Sequence, residues 1–158
     1  MLRYRHILGG TFSACAALQP CAAQGVFIGA WDVVAQDPAP WVTARQDRKA
    51  QAEPALRNAH IVFSADRVVA PLRMGCKKPK FEMMQLAFDS LFEGGLSDPG
   101  HGLNDPKKLA LKIGFTQEPV LSMVTSCSEL LFHLVDPNTA VFALNNMVYT
   151  LRRHQSSP

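Results

Sequence analysis

The sequence contains no Gly-x-Ser-x-Gly, no His-x-His or His-x-x-x-His pair, and no glycine-rich loop that opens a helix. The first absence removes the strained strand-to-helix turn that presents a nucleophilic serine in many hydrolases. The second removes the spacings that aim two imidazoles from one strand or helix face at a metal. The third removes the backbone cradle for nucleotide phosphates, since Gly94-Gly95 ends an apolar segment rather than starting one. Charge of one sign is also scarce, with 16 Lys and Arg against 13 Asp and Glu. That balance leaves no footprint for a nucleic-acid backbone and no strong pull towards an anionic membrane. The local exception, Lys77-Lys78-Pro79-Lys80, reads as a solvated loop. Strands do not alternate with a series of helical segments, which argues against a parallel α/β sheet.

The N-terminus is more informative. Arg3 and Arg5 precede an uncharged run, Ile7 to Leu18, which Pro20 breaks before Cys21-Ala22-Ala23. A basic start, an apolar centre and small residues at the end predict an export signal removed after Ala23. The apolar run falls short of the roughly 20 residues needed to cross a bilayer. Phe12-Ser13-Ala14-Cys15 offers a second reading, because it resembles the pattern that directs lipid attachment to its cysteine. On the first reading residues 1–23 are the signal and 24–158 one domain, with a Pro-rich loop over 35–58. Its net charge falls from +3 to about +1, because Arg3 and Arg5 leave with the signal. Only Cys76 and Cys127 then remain, and two cysteines in an exported domain allow one pairing. Closing a loop of about 50 residues stabilises by roughly 4 kcal/mol.

Strand signals fill much of the rest. Val26 to Val34 is apolar and β-branched, and His60 to Ser64 with Arg67 to Ala70 reads as a hairpin. Leu109 to Phe115 is a weaker strand candidate. Val120 to Cys127, Glu129 to Val135, Ala140 to Leu144 and Met147 to Arg152 form an antiparallel meander. Asn145-Asn146 supplies the left-handed backbone of a two-residue turn, so Leu144 opposes Met147, Phe142 opposes Tyr149 and Ala140 opposes Leu151. These six share one face, the core face. Phe81, Met84, Phe88, Leu91 and Phe92 recur at helical spacing before Gly94-Gly95, which predicts one amphipathic helix mid-chain.

Gly29-Ala30-Trp31 lies on the first predicted strand and Arg152-Arg153 at the end of the last. This pairing resembles the lipocalins and their calycin relatives, in which a first-strand Gly-x-Trp packs against a basic residue of the final strand. An indole face holds a guanidinium by stacking and cation–π attraction. Arg153 shares the parity of Tyr149 and Leu151 and is the candidate to cover Trp31. The strand pattern predicts a mainly β fold, an antiparallel meander whose seven or eight strands close into a small barrel without exposed edges, with an open meander packed on the helix as the rival; the resemblance makes that barrel lipocalin-like. In it Gly29, Trp31 and Arg153 are structural. The lipocalin helix before the last strand has no counterpart here.

The expected function is that of an exported, periplasmic or secreted, non-enzymatic binding protein. Its occupant is a small apolar ligand or a protein partner, an inhibited enzyme in the latter case. Phe81, Met84, Phe88 and Phe92 are the candidate contact surface or, on the plainer reading, a helix face covering the barrel. Large side chains filling the interior favour a protein partner, and an open cup favours a ligand. No catalytic residue, cofactor or metal is assigned, no nucleic acid is expected, and membrane contact follows only from lipid anchoring. The rival readings are a small exported hydrolase using His133 or His101, and a structural cell-envelope component. His101 with Asp98 and Asp105 reads as a solvated loop, and His133 as a hydrogen-bonded core histidine.

Overall fold

A computed structural model describes residues 25–42, 50–97 and 105–155. The proposed signal, the lipobox-like segment, Asp98 and His101 lie outside the described residues. The chain forms strands β1 (Gly29–Pro38), β2 (His60–Phe63), β3 (Arg67–Val69), β4 (Cys76–Lys77), β5 (Phe81–Leu86), β6 (Val120–Thr125), β7 (Ser128–Asp136), β8 (Thr139–Leu144) and β9 (Met147–Arg153). Among the described residues lie a helix, α1 (Pro106–Ile113), and two 3₁₀ segments, Pro54–Leu56 and Phe88–Ser97.

All strands belong to one antiparallel sheet in the order β4-β3-β2-β1-β9-β8-β7-β6-β5, curled into a half-barrel. Each strand except at the β4–β5 step lies beside its sequence neighbour, and β1 pairs with β9 from Trp31 opposite Arg153 to Pro38 opposite Met147. That is the circular order of an up-and-down barrel with one ladder missing, the one between β4 and β5. The disulfide Cys76–Cys127, with Cα atoms 5.3 Å apart, ties β4 to the β6–β7 turn across this seam. The Ser126 N–H donates to Lys80 O and the Lys80 N–H to Ser126 Oγ, both at 2.9 Å.

The β8–β9 register is Leu144 opposite Met147, Phe142 opposite Tyr149 and Ala140 opposite Leu151, as parity requires. Asn145 and Asn146 adopt φ of 53° and 60°, the left-handed backbone that Asn tolerates and a tight hairpin needs. Alternation then sorts side chains onto two covered faces. The concave face carries Trp31, Ile61, Phe63, Met123, Phe132, Phe142, Tyr149 and Leu151. The convex face puts Val120, Val141 and Val148 under Phe88, Leu91, Phe92, Leu96, Leu109, Ala110 and Phe115. The outer face of the meander is therefore a second core.

Three sequence expectations need correction. Phe81–Leu86 is a strand paired along its length with β6, and the helical turns begin only at Phe88. Met83 opposes Met123 and Met84 opposes Ser122. Both sides of β5 are half-buried, so its apolar residues show no clean alternation and matched a helical period by coincidence. Residues Leu109 to Ile113 are helical rather than extended, capped by the Asp105 carboxylate accepting from the Lys108 N–H at 3.2 Å. Pro106 starts α1 and Gly114, at φ 112°, stops it. Ala35–Pro38 extends β1 instead of opening the Pro-rich loop, and Trp41 packs on Phe92, ring centroids 4.9 Å apart.

Candidate functional site

The interior of the curl is occupied by the protein's own side chains. Phe27, Trp31, Phe63, Phe132, Phe142 and Tyr149 are each at most 2 % exposed. Phe142 and Tyr149 stack with centroids 5.0 Å apart, and Phe63 meets Phe132 edge-on at 5.1 Å. The Tyr149 hydroxyl accepts from the Glu53 N–H at 2.8 Å, so its polar end is satisfied. A cup for an apolar ligand needs unfilled volume lined by such groups, and here the aromatic rings take that volume themselves.

Closure at one end rests on the residues carrying the lipocalin resemblance. The Arg153 guanidinium carbon lies 4.3 Å from the Trp31 ring centroid. Its Nη1 donates to Ile28 O at 3.1 Å, its Nη2 to Val26 O, and its Nε to Pro137 O at 3.2 Å. The Trp31 Nε1–H donates to Phe27 O at 2.8 Å. One planar cation thus covers an indole and collects three carbonyls, a geometry a point-charge ammonium cannot reproduce. Gly29 is required twice over. It adopts φ 125°, and a Cβ there would sit 3.0 Å from Arg153 Nη1.

The four residues expected to share a surface are divided by the sheet. Phe81 packs against the concave core, whereas Phe88 and Phe92 are buried in the convex one at 6 % and 8 % exposure. Met84, opposite Ser122, lies on the Ser122 side of β5. The plainer expectation, a layer covering the sheet, describes Phe88 and Phe92.

His133 sits beneath that layer, fully buried. Its Nδ1 is 2.7 Å from Ser122 Oγ, and its Nε2 accepts from the Phe92 N–H at 3.3 Å. The Phe92 ring meets the imidazole edge-on at 4.6 Å. An Nε2 that accepts from an amide is unprotonated, which assigns the ring hydrogen to Nδ1, donating to Ser122. Burial pulls the His133 pKa down to about 4, so the ring is neutral. Both nitrogens are occupied and Ser122 is itself fully buried, so the pair is arranged to pin Phe92 and its left-handed backbone (φ 52°) against β6 and β7. Above it, a cleft of about 290 Å³ is edged by Glu93, Glu129 and Asn145.

A constellation that sequence reading missed gathers at the middle of the sheet, where Asp32, His60 and His154 converge. They are 28 and 122 residues apart, and no spacing signal links them. Only the register of β1 with β2 and β9 brings them together.

No family model matches the chain, and no curated protein or solved structure matches it significantly. The candidate site is therefore defined by this geometry alone. No helix among the described residues is long and apolar enough to cross a membrane.

Proposed function

We propose that the chain is an exported, lipocalin-like binding protein that engages a protein partner on its outside rather than a small apolar ligand within. The observation that carries this reading is the aromatic filling of the concave interior. The lipocalin-type assignment is supported by the Gly29–Trp31–Arg153 closure and by the circular strand order. Export is supported by the N-terminal pattern and by the disulfide.

The seam favours a particular mode of contact. β5 is an end strand of the sheet, and over residues 82–86 such a strand presents backbone donors and acceptors that an extended partner segment completes. Glu82 and Gln85 are its exposed residues, and the exposed Lys77, Lys78 and Lys80 precede it in the chain.

The test combines two measurements on the processed protein. Native mass spectrometry after mild extraction is expected to give the mass of the chain alone; a co-purified apolar small molecule overturns the filled-interior reading. A photo-crosslinking amino acid at Gln85 is expected to trap one specific partner in cell-envelope extract, and the same probe at exposed Arg57 none. Equal trapping at both positions rejects the β5 edge as the contact.

A further inference from the structure

We propose that Asp32, His60 and His154 form a binding site for one divalent transition-metal ion of the zinc–copper–nickel class. Asp32 lies on β1 directly opposite His60 of β2. His154 follows β9, held in place by its N–H donating to Ala30 O at 2.8 Å. The His60 Nδ1 is 2.7 Å from Asp32 Oδ1, and the His154 Nδ1 is 2.7 Å from Asp32 Oδ2. The two rings meet edge-on with centroids 5.0 Å apart. One donor atom from each residue lies within 4.8 Å of the others.

The donor chemistry selects the ion. Two neutral imidazoles and one carboxylate carry a single negative charge, a set that suits zinc, copper and nickel. Calcium prefers six to eight oxygen donors, and magnesium an oxygen octahedron, which this trio cannot supply. An ion held at about 2.0–2.2 Å from each donor sets the donors about 3.4 Å apart. That lies between the 2.7 Å hydrogen bonds and the 4.8 Å outer separation, so small side-chain rotations suffice. On binding, each neutral ring shifts its hydrogen from Nδ1 to Nε2, and the freed Nδ1 lone pair takes the metal. The side chains are 39–48 % exposed, leaving an open face for water or a further ligand.

Arg152 is opposite Asp32 in the β1–β9 ladder. Asp32 is held below the usual carboxylate range by its hydrogen bonds to His60 and His154. The ion would join β1, β2 and the tail after β9 at the sheet's centre, away from the disulfide-tied seam.

Untagged protein stripped with chelator is titrated calorimetrically with ZnCl₂. One ion per chain is expected, with no saturable heat from CaCl₂ or MgCl₂. Loss of a residue that merely orients a metal ligand costs about 10–100-fold in affinity, so His60→Gln and His154→Gln should each weaken binding at least that much, and the double variant should abolish it. Both histidines are exposed, so a circular-dichroism melt in chelator should leave the double variant's fold unchanged. If that variant fails to fold, Asp32→Asn replaces it. Co²⁺ is expected to give visible d–d absorption that Zn²⁺ displaces. Undiminished Zn²⁺ binding in the double variant, no binding by the parent protein, or equal binding of Ca²⁺ overturns the site. Each result stands apart from the partner reading, which concerns the β5 margin of the sheet.

Discussion

Acidification from pH 7 to pH 5 should weaken the fold by about 2 kcal/mol through His133 alone. The residue's pKa falls from 6.5 to about 4 on folding because burial disfavours the imidazolium. The unfolded chain therefore binds a proton below pH 6.5 that the native state refuses until about pH 4. Stability is complete above the unfolded value, declines as pH falls between the two, and is lower by about 3 kcal/mol beneath both. The window from pH 7 to 5 avoids Asp32, Asp66 and Asp136, whose pKa values are all lowered and whose contributions are lost only in stronger acid. Urea denaturation is the assay; with a slope near 2 kcal/mol per M, the midpoint should drop by about 1 M across the window. His133→Gln retains an acceptor for the Phe92 N–H but cannot gain a proton. It should cost about 1 kcal/mol at pH 7, from the weakened Ser122 bond, and its midpoint should change less with pH. The difference between the two pH profiles isolates residue 133. Parallel profiles would show that this imidazole is not the buried neutral group described here.

Two further outcomes follow from the closure and the seam. Gly29→Ala places a Cβ against Arg153 at a φ that L-residues avoid, and should lower stability by about 1–3 kcal/mol, read as a fall in melting temperature; an unchanged melt would refute the double requirement for glycine. Reducing Cys76–Cys127, which spans 51 positions, should remove up to roughly 4 kcal/mol, and a reduced protein with an unshifted urea midpoint would mean that the seam holds without it.

The parts of the fold legible in the sequence share a physical origin. From Val120 onward, strands are joined by short turns, so local patterning and the Asn145-Asn146 turn fix register without long-range information. The pairing of Trp31 with Arg153 was legible because strand parity put Arg153 on the core side of the last strand, where a guanidinium can lie over an indole. The Phe81–Phe92 helix failed because β5 is stabilised by its ladder to β6, some 40 residues away, which overrides local periodicity. α1 was legible in principle: Asp105-Pro106 and Gly114 are start and stop signals, but the run between them is short and apolar enough to read as a strand. The Asp32–His60–His154 cluster was not legible at all, since its members meet only through the β1–β2 pairing and the chain's exit from β9.

The placement of β1 between β2 and β9 has a consequence for how this protein comes into being. Its longest ladder joins Trp31–Pro38 to Met147–Arg153, so a growing chain cannot complete this sheet until β9 has been synthesised. Contacts of such long sequence separation make for slow folding. A truncation that removes β9 would leave β1 without its principal neighbour.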